Sequence, residues 1–346
     1  MNTQRFGILI RPSANRVYAE SSVALMEAEL EVLDQAVLGG RIADLRSQDI
    51  GGVPYLTFAA EDLSARDVAF LSNLSSLYAL FRLGEEGALY PVGLSPLDQL
   101  DDDLLTIQKY AGKTNEYFTK LLLNTTIWAS ASGPHMTDRT LRVFDPMCGR
   151  GTTLNQALMY GYNADGMDID GKDFEAYSAF LRTWMKRKRL KHTAETVPVR
   201  RDRRLVGRKL DITFGLSKED YKSGDKRRLT VVNADTTRAA DFFAADSFDV
   251  IVTDAPYGVQ HGARNRDALT RSPLELLTRA LPGWVRLLRR GGAVGISWNT
   301  HVTSREEAVA ALADAGLEPL DEGPYLKFRH RVDQAIIRDV IIARKP

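Results

Sequence analysis

Four short stretches of the 346-residue chain hold the residue types best suited to chemistry. The first, Asp145-Pro146-Met147-Cys148-Gly149-Arg150-Gly151-Thr152-Thr153, falls where a strand is expected to turn into a helix. Gly149 and Gly151 let the backbone turn tightly and approach a ligand with no Cβ in the way, and the following helix opens with unpaired N–H groups. This is a nucleotide-type bend, although no third glycine completes the dinucleotide fingerprint and no Gly-Lys-Ser/Thr phosphate loop is present. About 20 residues further on, Gly166-Met167-Asp168-Ile169-Asp170 sets a carboxylate at the end of the next strand, where doubly wound sheets bind ribose hydroxyls. Asp168 is the first choice and Asp170 the second. Asn233-Ala234-Asp235 closes a third strand and Thr253-Asp254-Ala255-Pro256-Tyr257-Gly258 a fourth. Each stretch alone reads equally well as a solvated turn. Four of them at the carboxyl ends of successive strands form the arrangement in which open α/β sheets bind ligands.

Those strand ends need a sheet behind them. From Leu141 onward strand and helix alternate, with strands at Val143-Phe144, Ala164 to Ile169, Val231-Val232, Val250 to Val252 and Ala293 to Ser297. Helical spacing recurs at Thr153 to Tyr160, Phe174 to Met185, Pro273 to Leu288 and Ser304 to Ala315. Such alternation predicts a parallel sheet covered on both faces, and Ile336 to Ala343 adds an antiparallel strand at its edge. Residues 1–95 read differently. Strand-like Phe6 to Ile10, a helix through Met26, Leu30, Leu33 and Val37, strands at Arg41 to Leu45 and Val53 to Phe58, a helix from Asp62 to Leu74 and a strand from Leu77 to Leu83 give the order β-α-β-β-α-β. That order predicts a ferredoxin-like α+β unit. The stretch 96–140, with Asp101-Asp102-Asp103 and a helix from Asn115 to Ala129, reads as a linker and a helix preceding the core domain, 141–346.

Asp145-Pro146-x-Cys148-Gly149-x-Gly151-Thr152, taken with Asp254-x-Pro256-Tyr257-Gly258, resembles the class I S-adenosylmethionine-dependent amino-methyltransferases. Within these it is most similar to the THUMP-associated, UPF0020-like RNA guanosine N2-methyltransferases, with Ala255 in place of the first proline of their fourth-strand motif. The resemblance covers residues 110–346 and implies a Rossmann-like seven-stranded core. It implies that Asp145, Pro146, Met147, Cys148, Gly149, Gly151 and Thr152 hold the amino-acid part of S-adenosylmethionine, Asp168 the ribose and Asp235 the adenine amino group, with Ile169 also in the cofactor site. Lys113-Thr114-Asn115 would complete the methionine end. Asp254, Ala255, Pro256 and Tyr257 would form the catalytic motif, with the Asp254 carboxylate and Ala255 carbonyl accepting the N–H groups of a base amine and Tyr257 stacking on the base. The implied reaction is methylation of an exocyclic amine in RNA, guanine N2 in tRNA first. A DNA adenine-N6 or cytosine-N4 methyltransferase and a non-catalytic RNA-binding protein are the alternatives.

Net charge is +1, but its distribution is uneven. Between Leu181 and Leu229 stand 17 Lys and Arg against 6 Asp and Glu, leaving 29 against 39 elsewhere. The basic insertion, 182–228, is therefore the expected contact for an RNA backbone. Cys148 is the one cysteine, which excludes an internal disulfide and a multi-cysteine zinc site, and the five histidines have no metal-ligand spacing. No apolar run approaches the ~20 residues of a membrane span, and the start of the chain has no basic-then-apolar leader. A cytoplasmic protein without metal or membrane partner is expected.

Overall fold

The computed structural model describes residues 3–13, 16–201, 204–255 and 273–346. Its first unit contains β1 (Thr3–Ile10), α1 (Arg16–Leu33), β2 (Ile42–Ile50), β3 (Val53–Glu61), α2 (Ala65–Leu71), β4 (Leu77–Leu83) and β5 (Leu89–Val92). The strands form an antiparallel sheet in the order β2-β3-β1-β4-β5. With β1 and β3 central, this is the ferredoxin-like arrangement expected from the sequence, extended by the short hairpin strand β5. Helix α2 starts on a capping box in which Ser64 and Asp67 satisfy each other's N–H groups.

The chain continues through α3 (Asp103–Thr106), α4 (Glu116–Ala129), β6 (Arg142–Asp145), α5 (Thr152–Met159), β7 (Asn163–Asp168) and α6 (Gly171–Arg187). Next come β8 (His192–Arg201), β9 (Arg204–Phe214), α7 (Lys218–Ser223), β10 (Arg227–Asn233), β11 (Phe248–Asp254), α8 (Pro273–Leu287) and β12 (Leu288–Asn299). The chain ends with α9 (Arg305–Asp314), β13 (Glu318–Pro319), β14 (His330–Arg331) and β15 (Ile337–Arg344). The second sheet runs β13-β15-β12-β11-β6-β7-β10-β9-β8, with β14 on β15. Strands β12, β11, β6, β7 and β10 are parallel, so in chain order the sheet reads 5-4-1-2-3. This is doubly wound topology, with its switch point between β6 and β11. With β15 antiparallel to these five and β13, antiparallel to β15, running in their own direction, seven strands make the expected core.

Alternation explains why these strands lie inside. Val250 and Val252 of β11 face the same core as α4, α5 and α6, while Ile251 faces the core built on α8 and α9. On β15, Val340 and Ile342 again separate from Ile341 and Ala343. Gly295 lets α4 lie close on β12, since a Cβ there would fall 1.9 Å from the Thr126 hydroxyl.

Three expectations need correction. β15 is not the sheet's edge, because β13 and β14 both pair with it on the side away from β12. The basic insertion, for which the sequence alone predicts no strands, forms the β8–β9 hairpin that widens the sheet beyond β10. The acidic stretch before α3 is pinned to α6, where Lys188 Nζ lies 2.7 Å from Asp101 and 2.8 Å from Asp103, and Trp184 donates to Asp103.

The first unit shares a continuous apolar core with α4 and α5. Within that core sits Glu29, 0% exposed, whose carboxylate accepts the Ser75 N–H and hydroxyl and the Asn124 amide at 2.8 Å. Burial pushes its pKa from 4.5 up to about 7. Between those values the native state holds a proton that the unfolded chain releases, so this contribution is full below pH 4.5 and lost as pH rises through 7, about 3 kcal/mol in all. Glu29→Gln is expected to flatten the fall in urea midpoint between pH 5 and 8. Parallel midpoint curves for variant and wild type would contradict this.

Candidate functional site

The candidate site is built at the carboxyl edge of the parallel strands. Asp145 ends β6 and is 3% exposed. Its Oδ1 accepts the Met147 N–H at 3.1 Å and the Thr253 hydroxyl at 2.8 Å, which ties the bend after β6 to β11. Burial raises its pKa to about 7. The bend then closes through the Gly151 N–H on the Cys148 carbonyl at 2.7 Å. Gly151 has φ +79°, and a Cβ there would lie 2.2 Å from the buried Tyr177 ring. At Gly149, φ +49°, a Cβ would meet nothing within 4 Å, so that side of the bend is open. Thr152 opens α5, with its hydroxyl 3.0 Å from the Tyr110 hydroxyl. Cys148 is buried, which raises its thiol well above the usual range, and its N–H bonds the Met167 carbonyl on β7. Pro146 and Met147 complete the bend, Met147 against the core under α8.

Asp168 ends β7. Its Oδ2 accepts the Gly149 N–H and its Oδ1 the Asp170 N–H, both at 2.8 Å, so the carboxylate is aimed by backbone on both sides. Burial pushes its pKa up to about 6. Asp170 caps α6 through the Lys172 and Asp173 N–H groups, which gives that side chain to the helix. Ile169 between them is 68% exposed. After β10, Asp235 Oδ1 accepts the N–H and hydroxyl of Thr237, and Asn233 crosses back to the carbonyls of Asp168 and Ile169.

Across the switch point, Asp254 ends β11. Its Oδ2 lies 2.5 Å from the Thr114 hydroxyl and 3.3 Å from the Arg338 guanidinium, and its Oδ1 accepts the Ser297 hydroxyl. Arg338 is 4% exposed and lies 4.3 Å over the Phe118 ring. Ala255 is held by its N–H on the Ser297 carbonyl at 2.8 Å. Thr114 thus comes to the fourth strand, but its neighbours do other work. Lys113 Nζ donates to the Leu105 carbonyl at 2.5 Å, and Asn115 caps α4 through the Tyr117 and Phe118 N–H groups. Pro256, Tyr257 and Gly258 lie outside the described residues.

Ser297 and Arg338 were not singled out from sequence. Ser297 lies opposite Asp254 near the carboxyl end of β12, so the strand-end rule that selected the other four stretches points to it as well. Arg338 stands in the apolar run Ile336 to Ala343, where a charge signals a buried partner. Among the described residues, no helix is long and apolar enough to cross a membrane, and no group of three or more His, Cys, Asp or Glu is placed to hold a metal ion.

A doubly wound sheet with a glycine bend on its first strand and carboxylates beyond the next three defines a nucleotide-binding α/β enzyme. Residues 132–292 match the model of the UPF0020 family, the RMKL-like methyltransferase domain, and the protein is an enzyme of methyl transfer. No curated protein matches the chain. Among solved structures it is similar to the rRNA methyltransferase aviRa of Streptomyces viridochromogenes, at 14% identity, TM-score 0.39, over 72% of this chain and 92% of that one. It is similar also to the precorrin-6y C5,15-methyltransferase of Geobacter metallireducens, at 13% identity, TM-score 0.38, over 72% and 99%. A 16S rRNA N2 methyltransferase of T. thermophilus follows at 13% identity, TM-score 0.30, over 61% and 37%. The residues present fit S-adenosylmethionine as methyl donor, because the open side of Gly149 leaves room beside the bend and Asp168 is aimed, on two N–H groups, where ribose hydroxyls bind.

Proposed function

We propose that the protein transfers a methyl group from S-adenosylmethionine to an exocyclic amine of a nucleobase in RNA, guanine N2 in tRNA first. One observation carries this reading: Asp254, beside the glycine bend, is fixed by donors from three separate elements, Thr114 before α4, Ser297 on β12 and Arg338 on β15. An exocyclic base amine is a poor nucleophile because its lone pair is delocalised into the ring. The Asp254 carboxylate and the Ala255 carbonyl accept its N–H groups and stabilise the positive charge that grows on nitrogen as the N–CH3 bond forms and the S–CH3 bond breaks, and Asp254 receives the proton that nitrogen then sheds. Because three donors already orient the carboxylate, little reorganisation remains at that moment. The bound donor supplies a methyl group on a sulfonium that needs no activation, so in-line positioning does much of the rest.

In this reading Asp168 holds the ribose, Ile169 lies against the adenine side, Asp235 receives the adenine amino group and Thr152 with the Gly149 side of the bend takes the amino-acid end. Asp145, Lys113 and Asn115 serve as braces of the bend and of α4. Tyr257 keeps the stacking role that its place after Pro256 suggests.

Asp168 sets the pH dependence of donor binding. Its free pKa of about 6 lies above the ordinary 3.8, so below pH 6 it must release a proton before accepting both ribose hydroxyls as an anion. Donor affinity is expected to be flat above pH 7 and to fall up to about tenfold per unit below 6, by titration calorimetry. A flat profile from pH 5 to 8 would remove Asp168 from the ribose.

The reading itself is tested by incubating the protein with methyl-labelled donor and total tRNA, rRNA or DNA, then analysing nucleosides. Label recovered as N2-methylguanosine from tRNA is the expected result. Label on a DNA amine, or no transfer to any of the three, contradicts it.

A further inference from the structure

We propose that the site-edge end of the β8–β9 hairpin is the arm that holds the RNA backbone, and that the rest of the basic segment is not part of that contact. This rests on the reading of RNA as substrate.

The first argument is register. β9 pairs with β10 from Phe214 opposite Arg227 to Arg208 opposite Asn233, where β10 ends. β9 nevertheless extends to Arg204, and β8 stays paired with it up to Arg201 opposite Arg204. β10 runs parallel to β7, and β7 to β6, whose carboxyl ends carry Asp168 and Asp145. The hairpin therefore overhangs the sheet on the site's own edge, by four residues of β9 or about 13 Å.

The second argument is how the charge divides. Helix α6 starts beside Asp168 and runs 17 residues, about 25 Å, toward the opposite edge. Lys186, Arg187, Arg189 and Lys191 consequently lie at the end of the sheet far from Asp168 and Asp254. Much of the remaining charge is already neutralised or bonded within the fold. Arg208 pairs with Glu175, Lys209 with Asp211 at 2.9 Å, Arg227 with Asp225, and Arg182 donates to the Ala194 carbonyl and the Thr196 hydroxyl. On the overhang, Arg200 and Arg204 are both exposed and have no ion pair among the described residues. Arg200 stands opposite Leu205, which is 61% exposed.

Arg200 shares its face of the hairpin with the exposed Leu205 and Arg204 stands on the other face, so the end of the ribbon offers a guanidinium without a counter-ion among the described residues to phosphates on either side of it, with an apolar contact for a sugar or base beside Arg200. The position matches as well, since a nucleobase seated at Asp254 continues into a backbone that has to leave along the same edge of the sheet. Asp101 and Asp103 hold Lys188 at the far corner, so acidic groups stand where the far cations would otherwise meet phosphate.

The test compares Arg200→Glu/Arg204→Glu with Arg187→Glu/Arg189→Glu in the full chain, using total tRNA as probe in anisotropy titrations between 50 and 200 mM salt. The overhang variant is expected to bind at least tenfold more weakly, with a log K against log salt slope reduced by about 1 to 2. The far-corner variant should stay within about twofold of wild type. Donor binding, read by calorimetry, should be unchanged in both, which separates loss of the arm from loss of fold. Equal weakening by the two variants, or wild-type binding by the overhang variant, overturns the proposal. If wild type methylates tRNA and the overhang variant binds it normally, the arm alone is wrong; if wild type neither binds nor methylates RNA, the substrate reading falls first and takes the arm with it.

Discussion

Asp254→Ala is expected to lower turnover by about a thousandfold at saturating donor while leaving donor affinity within about twofold. The magnitude follows from removing a preorganised group aimed at charge that appears only in the transition state. The selectivity follows from placement, because Asp254 lies across the switch point from Asp168 and Asp235. Asp168→Ala should give the reverse pattern, weak donor binding with most of the turnover recovered at high donor concentration. The alanine variant has a second consequence. Arg338 is 4% exposed and loses the Asp254 carboxylate, and removing one partner of a buried ion pair costs up to about 3–5 kcal/mol. Asp254→Asn separates the two effects, since its carbonyl can keep Thr114 and Arg338 while its amide meets Ser297, whose hydroxyl can accept. Asp254→Ala/Arg338→Met should regain most of the lost stability and none of the turnover. A double variant as active as wild type, or a single variant whose whole defect lies in donor affinity, would take Asp254 out of the chemistry.

Gly151→Ala is expected to lower stability through the backbone bend itself. At φ +79° an alanine is strained by about 1–2 kcal/mol, and its Cβ would sit 2.2 to 2.6 Å from three atoms of the Tyr177 ring. That ring cannot step aside, because it is fully buried and its hydroxyl donates to Asn155 at 2.8 Å. Overpacking adds about 1–3 kcal/mol, so the sum is about 2–5 kcal/mol by urea denaturation. Tyr177→Phe keeps the ring and should bring no relief. Gly151→Ala/Tyr177→Leu should recover the steric part and leave the backbone part. A single variant within about 0.5 kcal/mol of wild type would mean that the bend tolerates a different path and that its shape is not set by this contact.

Much of the site's framework could be read in advance because parallel strands buried on both faces are written as short apolar runs, and the polar residue after each run marks the carboxyl edge. Asp168, Asp235 and Asp254 emerged that way. Which carboxylates remain for a ligand could not be read so, since Asp145 and Asp235 have the same local pattern and only the fold turns Asp145 inward to Thr253. The β8–β9 hairpin escaped for a related reason. β8 is an edge strand with both faces largely in water, so His192 to Arg201 shows no alternation, and Pro198 within it argues against a strand except at an edge. Charge marked the same segment as a unit, yet its cations end at two opposite edges of the sheet, a separation that composition cannot express. The ferredoxin-like order of the first unit survived because its strand and helix periods differ plainly, whereas four-residue β5 is too short to leave one.

Calorimetric titration of the purified protein with S-adenosylmethionine, alongside its Asp168→Ala variant, reaches the central claim most directly. One donor per wild-type chain, with affinity reduced at least tenfold in the variant, is the predicted outcome. No measurable binding, or equal affinity in the two proteins, would contradict a methyl-donor site at the carboxyl edge of β6, β7 and β10.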